Sequence, residues 1–122
     1  MPRNLLSFLI VGLLFAAPLL AHHSLTAEFD TNKRITFTGV VKKVDWMNPH
    51  IYTHVEVKET NGTVTYKVEG GPPNSLFRNG WRPDSLKAGE TVTVSGLRAK
   101  ATTSMNVGQA TITKADGTTV YR

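Results

Sequence analysis

The chain has 122 residues, no cysteine, a formal charge of +5, 10 glycines and 6 prolines. That length holds one domain with one core. A hydrophobic content of 40% and a charged content of 19% exclude a collagen repeat, a long charged tail and a multi-span membrane protein. The lack of cysteine removes disulfides, zinc–thiolate sites, cysteine nucleophiles and lipid attachment through an N-terminal cysteine.

Arg3 precedes an uncharged apolar run, Leu5 to Ala17, which is followed by Pro18, Leu19, Leu20 and Ala21. A basic start, a short apolar stretch and a small residue at the cut are the marks of a secretory leader. A membrane anchor needs about 20 apolar residues, and this run, with Pro18 near its end, falls short. Residues 1–21 are therefore predicted to be a cleaved signal peptide. Cleavage after Ala21 gives a chain that starts at His22, keeps no stable membrane anchor and, without Arg3, carries +4.

Residues 22–33 read as an N-terminal segment and residues 34–122 as the folded domain. Arg34 to Trp46 is rich in β-branched and aromatic residues, with Ile35 and Phe37 alternating against Thr36 and Thr38. Gly39 in the middle of that strand predicts a bulge or sharp bend. Asn48-Pro49 is a turn. His50 to Lys58 follows as a strand with Ile51, Thr53, Val55 and Val57 on one face. Asn61-Gly62 predicts a tight hairpin with positive φ at both central residues, and Thr63 to Gly70 is the return strand.

The segment Gly70 to Trp81 breaks the pattern. Pro73 or Asn74 opens a short helix there, and Asn79-Gly80 stops it. Thr91 to Ala99 and Val107 to Lys114 are two further strands, and Asp116-Gly117 turns into a short terminal strand around Val120. Three strands, a helix, then two strands, with a long bent first strand, predict an all-β fold. The expected form is a small five-stranded OB-fold-like barrel with one short helix between strands 3 and 4. An immunoglobulin-like sandwich needs about seven strands and no such helix.

The motifs His22-His23-Ser24, Trp46-Met47-Asn48-Pro49-His50, Gly70-Gly71-Pro72-Pro73 and Arg78-Asn79-Gly80-Trp81 stand in one arrangement. It resembles a family of small exported bacterial proteins carried as a domain of unknown function. The resemblance covers the whole mature chain. It implies export in a Gram-negative bacterium, with the periplasm as destination, and implies no activity.

His22 and His23 are the most chemically suggestive residues. A mature N-terminus at His22 offers an α-amine beside an imidazole, and such nitrogen donors suit copper(II). His23 or His50 supplies a third nitrogen, and Glu28 and Asp30 are near enough in sequence to support the ligands. The plain alternatives are a flexible N-terminus whose histidines are solvated, or a segment that docks on the barrel through Leu25 and Phe29. His50 and His54 share no ion, since four residues of strand separate them by roughly 13 Å. His50 stands at a loop rim, where OB-folds bind, while His54 reads as a solvated strand face.

Trp46, His50, Arg78 and Trp81 are the candidate ligand-binding residues. Arg78 stacking on Trp81 is one expected contact, and a capped helix plugging one barrel end is the other. Gly70-Gly71-Pro72-Pro73 lacks the Lys-Ser/Thr of a phosphate loop. No serine stands in a G-x-S-x-G context and no carboxylate pair is evident, so no catalytic set emerges. A charge of +4 on an exported chain reads as a soluble surface rather than a nucleic-acid site. The sequence therefore points to a non-enzymatic periplasmic binding module for a small ligand or envelope component. The alternatives are a copper protein and a structural partner in the envelope.

Overall fold

The computed structural model describes residues 25–122. The expected leader and the His22-His23 pair lie outside the described residues. Residues 25–28 form a helical turn that leads directly into β1 (Phe29–Asp45). The strand therefore starts five residues before the expected Arg34. Its early part, Asp30 to Lys33, is polar and largely exposed, so it carries no alternation to read.

β1 serves two partners. As far as Val40 it pairs antiparallel with β4 (Thr91–Ala99), and from Val40 onward it pairs antiparallel with β2 (Tyr52–Glu59). The change of partner falls beside Gly39, which is buried and faces inward. A Cβ there would lie 2.5 Å from the Glu56 carbonyl oxygen and 2.7 Å from Val55 Cγ1. Only glycine lets the two strands come this close. The bulge expected at Gly39 occurs instead at Lys42, between the pairs Val41↔Val55 and Lys43↔His54.

β2 and β3 (Gly62–Glu69) form a hairpin whose two loop residues are Thr60 and Asn61, not Asn61 and Gly62. Gly62 alone takes a positive φ, +132°, and begins the return strand. At the far end the Gly70 N–H donates to the Ile51 carbonyl and the Ile51 N–H to the Gly71 carbonyl, and a Gly70 Cβ would meet Ile51 Cγ1 at 2.6 Å. The turn lies one residue earlier than expected, which shifts the pairing by two residues and so leaves the same side chains facing inward.

The helix α1 (Pro73–Arg78) matches the sequence reading. Pro73 occupies the first turn, where its missing N–H costs nothing. At the other end the Trp81 N–H bonds the Leu76 carbonyl and the Gly80 N–H bonds the Phe77 carbonyl, with Gly80 at φ +88°. This is a Schellman motif, and it turns Trp81 back onto Leu76 and the core.

β5 (Asn106–Lys114) pairs with β4, and β6 (Thr119–Val120) adds two residues to its other side. The strand order is β3-β2-β1-β4-β5-β6, and a parallel contact between β3 and β5 closes a ring of hydrogen bonds. The fold is all-β, with five long strands, the short β6 and the helix between β3 and β4. Phe37 of β1 stacks on Tyr66 of β3, centroids 4.3 Å apart, across the interior that the ring encloses. Val55, Val94 and Val107 are fully buried there, each contributing about 1.5–3 kcal/mol. A smaller cluster of Phe29, Leu97 and Ala99, with Leu25 against it, ties the N-terminal segment to β4.

Candidate functional site

A cleft of about 430 Å³ opens where the 25–28 turn, the start of β2, the end of β3 and a kink in β5 meet. Leu25, Phe29, Ala110 and Tyr121 supply its apolar surface, and Glu28, His50, Glu69 and Gln109 its polar groups. An apolar hollow with a few convergent polar groups is the usual form of a small-molecule site. Gly70, Gly71 and Gly108 also line it. At Gly108 a Cβ would sit 2.6 Å from the Phe29 ring, so the glycine lets Phe29 form the wall.

His50 is the best-oriented of the polar groups. Its Nδ1 lies 2.9 Å from the Gly70 carbonyl oxygen. A carbonyl only accepts, so Nδ1 carries the proton and donates to it. Glu69 Oε1 lies 3.5 Å from the same Nδ1. Burial pushes the Glu69 carboxyl above the usual carboxylate range; Glu28 adds to this, and His50 and Lys67 oppose it.

Glu28 is held from the other side of the cleft, where Asn106 Nδ2 donates to its Oε1 at 2.9 Å. The Lys100 N–H donates to the Glu28 carbonyl at 2.9 Å, and Lys100 Nζ donates to the Thr26 carbonyl. The turn is thereby fixed on the loop between β4 and β5. Gln109 sits on a β-bulge, where it and Ala110 face the single residue Gly96. Its φ is +43°, a left-handed conformation that costs a non-glycine residue about 1–2 kcal/mol. Bulges of this kind re-aim a side chain at the rim of a site.

Among the four candidate ligand-binding residues, His50 lines this cleft. Trp46 and Trp81 stand behind it, each edge-on to Tyr121 with centroids 5.8 and 6.1 Å away. Trp81 Nε1 donates to the Arg122 carbonyl at 3.1 Å. Arg78 is exposed on the last turn of α1. The arginine–aromatic stack in this region is formed by Arg82, 3.7 Å above the Phe77 ring, because Arg82 Nη1 is also anchored on the Phe77 and Trp81 carbonyls. The candidate metal residues His22 and His23 lie outside the described residues. Among the described residues no three His, Asp or Glu side chains converge as a metal cage. Asp30 spends its Oδ1 on the Asn32 N–H.

His54 is not simply solvated. Its Nε2 lies 2.8 Å from Asp45 Oδ2, and Lys43 Nζ lies 3.0 Å from Asp45 Oδ1. Lys43 foremost, then His54, hold the Asp45 carboxyl below its ordinary value. Glu90 is lowered by the Lys87 N–H and Lys114, and Asp116 by the Thr118 N–H. Such groups contribute stability above their unfolded values, and that stability disappears as pH falls through the folded ones. Glu69 has the opposite sign: raised by burial, it opposes folding as pH rises past its unfolded value. The expected result is a midpoint of urea unfolding that drops below about pH 4. Asp45→Asn will flatten that drop, and Glu69→Gln will raise stability at pH 7; an unchanged acid slope in Asp45→Asn rejects this assignment.

Together the ring-bonded strands and the cleft define a small all-β domain with an open, mixed-polarity hollow. The chain belongs to a family of unknown function (DUF6152), whose model matches residues 11–108. That match takes in every strand as far as the start of β5. No curated protein and no solved structure matches the chain. Among the described residues no helix is long and apolar enough to cross a membrane.

Proposed function

We propose that this protein is an exported, periplasmic, non-enzymatic binding module with an OB-fold-like barrel, and that its ligand sits in the cleft beside His50. The barrel reading rests on the closed strand ring, on β1 shared between β2 and β4, and on the helix between β3 and β4. Those are OB-fold traits, and such folds bind at the loop that joins the first two strands. His50 ends that loop. Export rests on the Leu5–Ala17 leader pattern.

The observation that carries the binding reading is the His50 imidazole. It is locked by the Gly70 carbonyl at the wall of an apolar hollow. A screen of sugars, metal ions and envelope fragments by amide NMR tests it. Ligands are expected to move the resonances of His50, Gly70 and Gln109, and His50→Ala is expected to weaken them. Silence across the screen rejects the module and favours a structural partner role in the envelope.

Copper is the second reading, favoured by one observation. Leu25 lines the same cleft as His50, and His23 and His22 stand two and three positions before it in the sequence. A histidine whose Nδ1 donates to a backbone carbonyl is oriented as metal ligands usually are. Mass spectrometry of the exported chain should find His22 first, and copper(II) titration should weaken in both His22→Ala and His50→Ala. A different N-terminus, or unchanged affinity, rejects it.

A further inference from the structure

The hydrogen-bonding balance of the cleft is one-sided. Among the described residues that line it, Tyr121 alone bears a hydroxyl, and its proton is spent on the carbonyls of Arg82 and Pro83, 3.1 and 3.3 Å away. The Nδ1 proton of His50 is spent on Gly70. The other polar side chains that line it among the described residues are His50, Glu28 and Glu69, rich in acceptors, and the Gln109 amide, able to act either way. Neither nearby lysine lines the cleft, although Lys67 partly offsets the rise at Glu69. Lys67 Nζ lies 4.1 Å above the Tyr52 ring, and Lys100 reaches the Thr26 carbonyl.

A ligand that brought acceptors here would leave buried lone pairs facing lone pairs, which is costly. One that brings charged donors is matched on several sides. Leu25, Phe29 and Ala110 add an apolar wall, so the ligand also needs an apolar body. Resting on the reading of this cleft as the binding site, we propose that it takes an organic cation: an ammonium group carried on a short apolar or aromatic frame. The ammonium pairs with the Glu69 carboxylate, Glu28 adds negative charge nearby, and the frame packs on Leu25 and Phe29. Burial and the neighbouring Glu28 both disfavour the Glu69 charge, and a bound cation removes that conflict.

Three probes of similar shape separate charge from shape: 2-phenylethylamine, 2-phenylethanol and 3-phenylpropionate, each titrated into the purified protein and followed by amide NMR. The amine is expected to move His50, Gly70 and Gln109, with an affinity at least about tenfold above that of the alcohol. The carboxylate is expected to leave them in place. Glu69→Gln and Glu28→Gln should each reduce amine affinity several-fold and leave the alcohol unchanged, which separates lost charge from lost fold. An alcohol or carboxylate that binds at these residues as tightly as the amine overturns the cation assignment and leaves the cleft as a binding site. An amine that moves only resonances elsewhere, or no amine binding at all, also overturns it, and the broader screen then decides the cleft itself.

Discussion

Tyr121→Ala is expected to destabilise the fold by about 4 kcal/mol, the scale of removing a large buried aromatic side chain. Although next to last in the chain, Tyr121 is 7% exposed. It gathers two separate pieces of sequence. Trp46, at the end of β1, and Trp81, after α1, pack edge-on against its ring. Its hydroxyl donates to the carbonyls of Arg82 and Pro83, pinning the strand-free stretch before β4. Removing the ring empties the centre of this arrangement and leaves both indoles without their partner. For a domain of this size the melting temperature should fall by roughly 15–30 °C. Tyr121→Phe keeps the ring and gives up the hydrogen bonds, so its expected cost is about 1 kcal/mol. Urea unfolding of the two variants separates packing from hydrogen bonding; near-equal losses contradict this account.

Gly39→Ala is the second large effect, expected to cost about 3 kcal/mol, the upper range for forcing atoms into a filled interior. The added methyl meets the Glu56 carbonyl oxygen at 2.5 Å. That contact is with backbone and cannot be relieved by a side-chain rotation. β1 would have to lift away from β2 at the point where it changes partners. Gly62→Ala is the useful comparison. Gly62 has φ +132° with nothing within 4 Å of an added Cβ, so its cost is conformational only, about 1 kcal/mol. If Gly39→Ala costs no more than Gly62→Ala, the close crossing is not what that glycine provides.

Most of the fold was legible because the strands alternate cleanly. Ile51, Thr53 and Val55 face inward as the pattern requires, and β4 spans the residues expected of it. The ends of α1 were readable from Pro73, Asn79 and Gly80, since those residues have few other uses together. Gly39 was recognised as special, but its purpose was not: a glycine in a strand serves a bulge or a close approach, and only the neighbouring strand decides which. The first residues of β1 were hidden by their polarity.

The cleft was much less legible. His50 could be placed on it because it ends the loop after the first strand. Glu28, Glu69 and Gln109 come from three distant parts of the chain and meet only through the ring. No local pattern marks a glutamine in a left-handed conformation. Nothing in the chain's last residues signalled that Tyr121 is buried. A weak clue was present in Gly70, Gly71 and Gly108, because glycines at strand ends often mark close approaches around a hollow.

The division of β1 between two partners also dictates an order of assembly. Its second half can form a local sheet with β2 and β3 once residue 69 is available. Its first half must wait for residue 99 to complete β4, and the ring closes only when β5 arrives. Such non-local pairing slows folding and makes it depend on the nearly complete chain. A chain emerging N-terminus first would therefore hold residues 29–39 unpaired until most of its length had followed.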